Sequence, residues 1–156
     1  MKFKSPLLVV TNIEKSKEFY KDVLGLKVVM DFGANVTLTG GVALQTIDSW
    51  KNFIQKDNEI VFSGNDTELY FEEDDFDNFI EKLNNLKFIE YVHPVIEHSW
   101  GQRVVRFYDL DKHIIEVGEN LDAVCKRFLK SGLTAEETAK RMDVPIDFVE
   151  ESIVKK

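Results

Sequence analysis

The chain has 156 residues, 44% of them hydrophobic and 31% charged, which is enough apolar matter for one compact domain with a small appendage and excludes wholesale disorder. Against 28 Asp+Glu stand 20 Lys+Arg, so the net charge is −8; such a chain repels phosphate backbones and anionic lipid, and binding either would need a local basic patch. A single cysteine, Cys125, allows no internal disulfide and fits a reducing compartment.

The opening residues Met1–Pro6 lead into only four apolar residues, Leu7 to Val10, shorter than a secretory signal requires. No stretch approaches the roughly 18 apolar residues that cross a bilayer. The sequence therefore predicts a cytoplasmic protein with no membrane or nucleic-acid partner. The charge is unevenly spread. Residues 1–119 hold 13 Lys+Arg and 21 Asp+Glu, and so carry the whole net charge, whereas residues 120–156 hold seven of each.

In chain order, Leu7 to Thr11 reads as a short buried strand, with Asn12 capping a helix behind it. Ile13, Ser16, Tyr20 and Val23 fall on one helical face, and Gly25 supplies the stop. Three strands are predicted next: Lys27 to Asp31, Asn35 to Thr39 and Val42 to Thr46, with turn signals at Gly33-Ala34-Asn35 and Gly40-Gly41. Ser49 to Thr67 reads as a connector.

The same order then recurs. Glu68 to Glu72 is a strand. Asp75 caps a helix whose apolar face is Phe76, Phe79, Leu83 and Leu86. Lys87 to Val92, Gln102 to Tyr108 and Ile114 to Gly118 are strands, with Asp109-Leu110-Asp111-Lys112 as the turn before the last. The fold class is α+β: paired β-α-β-β-β modules, about residues 5–48 and 66–118, form a cupped mixed sheet. Together they make a domain at 1–119, and 120–156 is a helical C-terminal extension.

In that extension Leu121, Val124, Cys125, Phe128 and Leu129 make an apolar stripe. Thr134 and Glu137 form a capping box, and Pro145 opens a third helix. The stripe is expected to bury against the modules or a second copy of the chain. The last two helices have the spacing of a helix-turn-helix, but Asp143 stands where that motif has its turn glycine. Asp147, Glu150 and Glu151 on the final helix would repel phosphates, so packing or partner contact is the expected role.

Val10-Thr11-Asn12-Ile13-Glu14-Lys15-Ser16, Phe19-Tyr20 and Val23-Leu24-Gly25-Leu26 resemble the opening of the vicinal oxygen chelate superfamily, which includes glyoxalase, bleomycin resistance protein and extradiol dioxygenase. Glu68-Leu69-Tyr70-Phe71 with Asp74-Asp75 resembles the start of its second module. Trp100-Gly101-Gln102-Arg103, Phe107-Tyr108-Asp109-Leu110-Asp111 and Ile114-Ile115-Glu116 resemble its close. The resemblance implies the paired-module fold, and in metal-using members four ligand positions, which fall here on Ser5, Gln45, Glu68 and Glu116. Ser5 and Glu68 replace the usual imidazole or amide, Leu110 replaces a proline, and Lys112 replaces a glycine.

A serine hydroxyl is a poor ligand for a divalent ion, whereas Glu68, Glu116 and Gln45 offer hard oxygens. Without a metal, two carboxylates facing each other in one cup would repel, and one would take up a proton. The reading that follows is a small-molecule (drug or metabolite) binding protein without the full metal site, needing no cofactor. Its ligand-binding candidates are Trp50, Glu68, Tyr70, Trp100, Arg103 and Glu116. The competing reading is a metal-dependent glyoxalase-like lyase or dioxygenase with a divalent metal on Glu68, Glu116 and Gln45. A third is a scaffold whose tail makes the important contact. His93, His98 and His113 read as turn or surface residues and Cys125 as structural. The predicted partners are the small molecule and a second copy of the chain in a homodimer.

Overall fold

The computed structural model describes residues 1–154; Lys155 and Lys156, the basic end of the tail, lie outside the described residues. In chain order the elements are β1 (Leu7–Val10), α1 (Ile13–Leu24), β2 (Val28–Asp31), β3 (Asn35–Leu38), β4 (Ala43–Thr46), α2 (Ile47–Ile54), β5 (Glu68–Glu73), α3 (Phe76–Asn85), β6 (Glu90–Glu97), β7 (Arg103–Tyr108), β8 (Ile114–Glu119), α4 (Leu121–Lys130), α5 (Ala135–Met142) and α6 (Ile146–Val154). The mixed α+β class, the paired modules and the helical C-terminal part are as predicted.

The chain divides into two compact units. One is Met1–Thr67 with the turn Tyr108–Ile114; the other is Glu68–Phe107 with the chain from Ile115 onward. The first unit holds a four-stranded sheet in the order β1-β4-β3-β2. Strand β1 runs parallel to β4, with Leu7 opposite Ala43 and Val10 opposite Thr46, and β3 and β2 follow antiparallel. Asn12 starts α1 by accepting from the Lys15 amide, and Gly25 ends it at φ +70, where only glycine sits without strain. The helix buries Ser16, Phe19, Tyr20 and Val23 in a core with Val10, Val36, Leu38 and Leu44.

A polar cluster fixes the long turn of this unit. Asp109 accepts from the backbone amides of Asp111 and His113 at 2.9 and 2.8 Å and from the Tyr20 hydroxyl at 2.8 Å. Asp111 accepts from the Thr11 amide at 3.1 Å. Lys112, where the resemblance has glycine, is left-handed at φ +67, so the turn requires the conformation that glycine adopts most cheaply.

The second unit repeats the strand order as β5-β8-β7-β6. Asp75 caps α3, which buries Phe76, Phe79 and Leu83 over β7 and β8, where Val105, Phe107 and Ile115 are fully covered. Most strand bounds fall within a residue of prediction, and two departures are larger. The connector contains a helix, α2, and the strand expected at Lys87 to Val92 is β6, which starts at Glu90 and runs through Pro94 to Glu97. Pro94 lies on the sheet's edge strand, the place where a sheet tolerates proline.

The tail is a three-helix element with its own core of Val124, Cys125, Phe128, Ala139, Met142 and Val149. The α4 stripe buries against α5 and α6, and its Phe128 also packs beside Gly101 of the second module, so the expected contact with a module is present alongside a core that the tail makes for itself. Thr134 and Glu137 form the predicted capping box, and Asp143 takes the left-handed turn position between α5 and α6 at φ +56.

Candidate functional site

Alternation along β5 puts Glu68, Tyr70 and Glu72 on one face of the second sheet, and along β8 it puts Glu116 and Gly118 on one face. Arg106 of β7 and His93 of β6 complete a row across all four strands. Arg106 Nε donates to Glu68 Oε2 at 2.8 Å and Nη2 pairs with the carboxylate of Glu116. Nη1 reaches His93 Nε2 at 3.2 Å, while His93 Nδ1 lies 2.7 Å from the Pro94 carbonyl. A neutral histidine that donates from Nδ1 and accepts at Nε2 satisfies both contacts. Glu116 is almost wholly buried, Arg106 is about three-quarters buried and Glu68 is more open.

Arg106 changes the electrostatics expected from sequence. Two carboxylates alone would repel; a guanidinium between them compensates both and leaves the trio with one net negative charge. The row was missed because Arg106 is one cation in the ordinary strand Arg103–Tyr108. Its partners lie 38 and 10 positions away, a separation no local pattern exposes.

Beside this row lies an aromatic group on the same unit. Gln102 is buried and donates through Nε2 to the Tyr70 hydroxyl at 2.9 Å and to the Glu119 carbonyl at 2.9 Å. Its Oε1 accepts from Trp100 Nε1 at 3.2 Å. A Cβ at Gly118 would come within 2.8 Å of Gln102 Nε2 and 3.2 Å of the Tyr70 ring, so only glycine lets these side chains meet over β8. Tyr70 remains 48% exposed and Trp100 37%, which leaves both rings open to a ligand. His98 stacks on Trp100 with centroids 4.2 Å apart. Burial, and then the positive charge of Arg106, hold the His98 pKa below its usual value.

The other predicted residues fall elsewhere. Arg103 is three positions from Arg106 and points to the opposite, helix-covered face. There Nε and Nη2 grip Glu119 at 3.1 and 3.0 Å, Nη1 pairs with Asp77 at 2.7 Å, and the guanidinium lies 5.1 Å from the Phe76 ring centre. Its donors are therefore occupied within the chain. Gln45 and Trp50 belong to the first unit. Gln45 is buried, accepts from Asn35 Nδ2 at 2.7 Å and donates to Ser49 Oγ, while Trp50 lies partly buried on α2. Ser5 precedes β1.

In the second unit the oxygens of Glu68 and Glu116 hold Arg106, and in the first unit Gln45 Oε1 is engaged by Asn35. Among the described residues no three His, Cys, Asp or Glu side chains are grouped to hold a metal. No described helix is long and apolar enough to cross a membrane.

Residues 3–122 match the family model of the glyoxalase-like domain. No curated protein matches the chain. Among solved structures, a protein of unknown function from Agrobacterium tumefaciens str. C58 is 39% identical, with a TM-score of 0.70 over 77% of this chain and 94% of that one. A glyoxalase/bleomycin resistance protein/dioxygenase family enzyme from Burkholderia phytofirmans PsJN is 14% identical, with a TM-score of 0.65 over 74% and 96%. The fosfomycin resistance protein FosX from Listeria monocytogenes is 17% identical, with a TM-score of 0.56 over 77% and 93%. The last two likenesses are of fold.

Proposed function

Because the chain belongs to the glyoxalase-like domain family, we propose that it binds a planar small molecule without using a metal. The observation that supports this reading is Arg106, whose guanidinium sits between Glu68 and Glu116 where a metal-using relative would need free oxygens. Two exposed rings, Tyr70 and Trp100, offer stacking surfaces beside a row that keeps one net negative charge. The ligand class is therefore a planar, partly apolar molecule with a basic or hydrogen-bond-donating group. Its ring lies against Trp100, and its donor meets the open side of Glu68. Glu116 and Arg106 hold Glu68 in place. Gln102 fixes both aromatic side chains through its amide.

The cationic planar dye proflavine tests this reading. Fluorescence anisotropy of the dye with the purified chain should show saturable binding, weakened by about tenfold in Trp100→Ala and again in Glu68→Gln, since stacking and one charged contact each contribute about 1–2 kcal/mol. Elemental analysis should find no stoichiometric metal. A transition metal near one equivalent per chain, removed together with activity by a chelator, would instead favour the lyase or dioxygenase reading on Glu68, Glu116 and Gln45.

The protein acts in this reading as a cytoplasmic homodimer with no nucleic-acid partner. Supporting the dimer, β2 exposes Val28, Val29 and Met30 and β6 exposes Tyr91, Val92, Val95 and Ile96, apolar surface that a second copy would cover. Light scattering that finds only an 18.1 kDa species at micromolar concentration would remove it.

A further inference from the structure

Trp100 sits in the connection between β6 and β7, and the C-terminal tail holds that connection on both sides of it. The loop closes on itself at Gly101 N to the His98 carbonyl, 2.8 Å, and His98 N to the Gln102 carbonyl, 2.9 Å. Gly101 has φ +91, and a Cβ there would come 2.1 Å from Phe128 Cζ: the Phe128 ring of α4 occupies the space beside the glycine. The neighbouring Arg127 donates from Nη2 to the Gly101 carbonyl at 2.5 Å. The same guanidinium grips Glu119 at 2.9 and 3.2 Å and approaches Glu97 at 3.5 Å. Arg141 of α5 approaches the other oxygen of Glu97, also at 3.5 Å. The tail thus contacts Glu97 and Gly101, the residues that flank His98, Ser99 and Trp100.

We infer that Arg127 and Phe128 are positioning residues for Trp100, so that the three-helix tail sets the ligand affinity of the face that carries it. This rests on the binding role proposed above. It concerns a segment beyond the family match, which ends at residue 122. The tail's own core of Val124, Cys125, Ala139, Met142 and Val149 gives α4 a rigid backing, and Glu119 anchors Arg127 to β8. Arg127 thereby bridges sheet and loop through one planar group, which a lysine's single ammonium cannot reproduce.

The chain has two tryptophans, so Trp50→Phe leaves Trp100 as the sole reporter. In that background acrylamide quenching of Trp100 is measured for the parent, Arg127→Ala, Arg127→Lys and Arg141→Ala, each with its urea midpoint. The expected result is a quenching constant raised by about twofold in Arg127→Ala as the loop opens locally, with a smaller rise in Arg127→Lys and Arg141→Ala. Proflavine affinity falls in the same order, by about threefold for Arg127→Ala, because part of a charged hydrogen bond's worth is passed to the ring's placement. Arg141→Ala keeps the test decisive where Arg127→Ala fails to fold, since Arg141 is more exposed and its ion pair with Glu97 is longer than those of Arg127 with Glu119. Quenching that stays at the parent value while the urea midpoint falls would overturn the inference and leave Arg127 a stability residue. Failure of proflavine to bind the parent protein would count against the ligand reading; the quenching series would still decide whether the tail holds Trp100.

Discussion

The two modules share a strand order and spend their polar side chains differently. In the first unit they are hydrogen-bonded inward. Tyr20 and the amides of the long turn converge on Asp109, and Gln45 is enclosed by Asn35 and Ser49. In the second unit they form two ionic rows on opposite faces of one sheet. Glu68, Arg106 and Glu116 lie on the face that keeps open rings, and Arg103, Glu119 and Arg127 lie on the face covered by helices. Equivalent scaffolds can therefore hold a turn with one module and keep a site and dock an extension with the other.

The largest effect that tests this contrast is at Glu119. Glu119→Ala leaves Arg103 and Arg127 facing each other with no shared carboxylate, and is expected to cost about 3 kcal/mol in urea unfolding. Glu116→Gln comes next, at about 2 kcal/mol, because it takes the charged partner from Arg106 on a nearly buried carboxylate. A neutral outcome at Glu116 would mean that like-charge repulsion prevails there and that Arg106 does not compensate it. Tyr20→Phe in the first unit removes one hydrogen bond to Asp109 and should cost about 1 kcal/mol, with little dependence on salt.

Acid should separate the two units as well. Burial raises the Glu119 pKa, but the hydrogen bonds and charges of Arg103 and Arg127 outweigh it and hold the group below the usual carboxylate range. A depressed folded pKa means that this pairing contributes in full above the unfolded value, about 4.3, and is lost as pH falls through the lower folded value. Trp100 fluorescence should therefore report loosening of the second unit in that acidic window, and Glu119→Gln should abolish the transition. The smallest effect is at Lys112. Lys112→Gly relieves a left-handed backbone but frees the unfolded chain, so a gain of about 0.5 kcal/mol or less is expected from thermal unfolding.

Much of this architecture was legible in the sequence. Asn12, Gly25, Asp75 and the Thr134–Glu137 pair are local signals, and the repeat of element order carried the paired modules. Helix α2 was missed because Ile47–Ile54 follows β4 directly, with no glycine or proline between, and is only eight residues long. In α1 the buried face includes Phe19, which the chosen spacing passed over. At the candidate site Glu68, Tyr70, Trp100 and Glu116 were nameable from a resemblance, whereas Arg106, His93 and Gln102 depend on strand neighbours far away in sequence. The tail's apolar stripe was visible, but its destination was not, because an amphipathic pattern specifies that a face is buried and not what buries it.

Pro94 in the middle of β6 carries one more consequence. An edge strand ordinarily offers a continuous row of free amide donors on which another chain can zip, the route to fibrils. Pro94 offers no amide donor, and the register shift between Val28 and Met30 distorts the corresponding edge strand, β2. Two strands rich in exposed valine, isoleucine and methionine thus carry built-in interruptions to end-to-end backbone pairing. Contact through these strands is thereby turned toward side chains and away from an open-ended backbone stack.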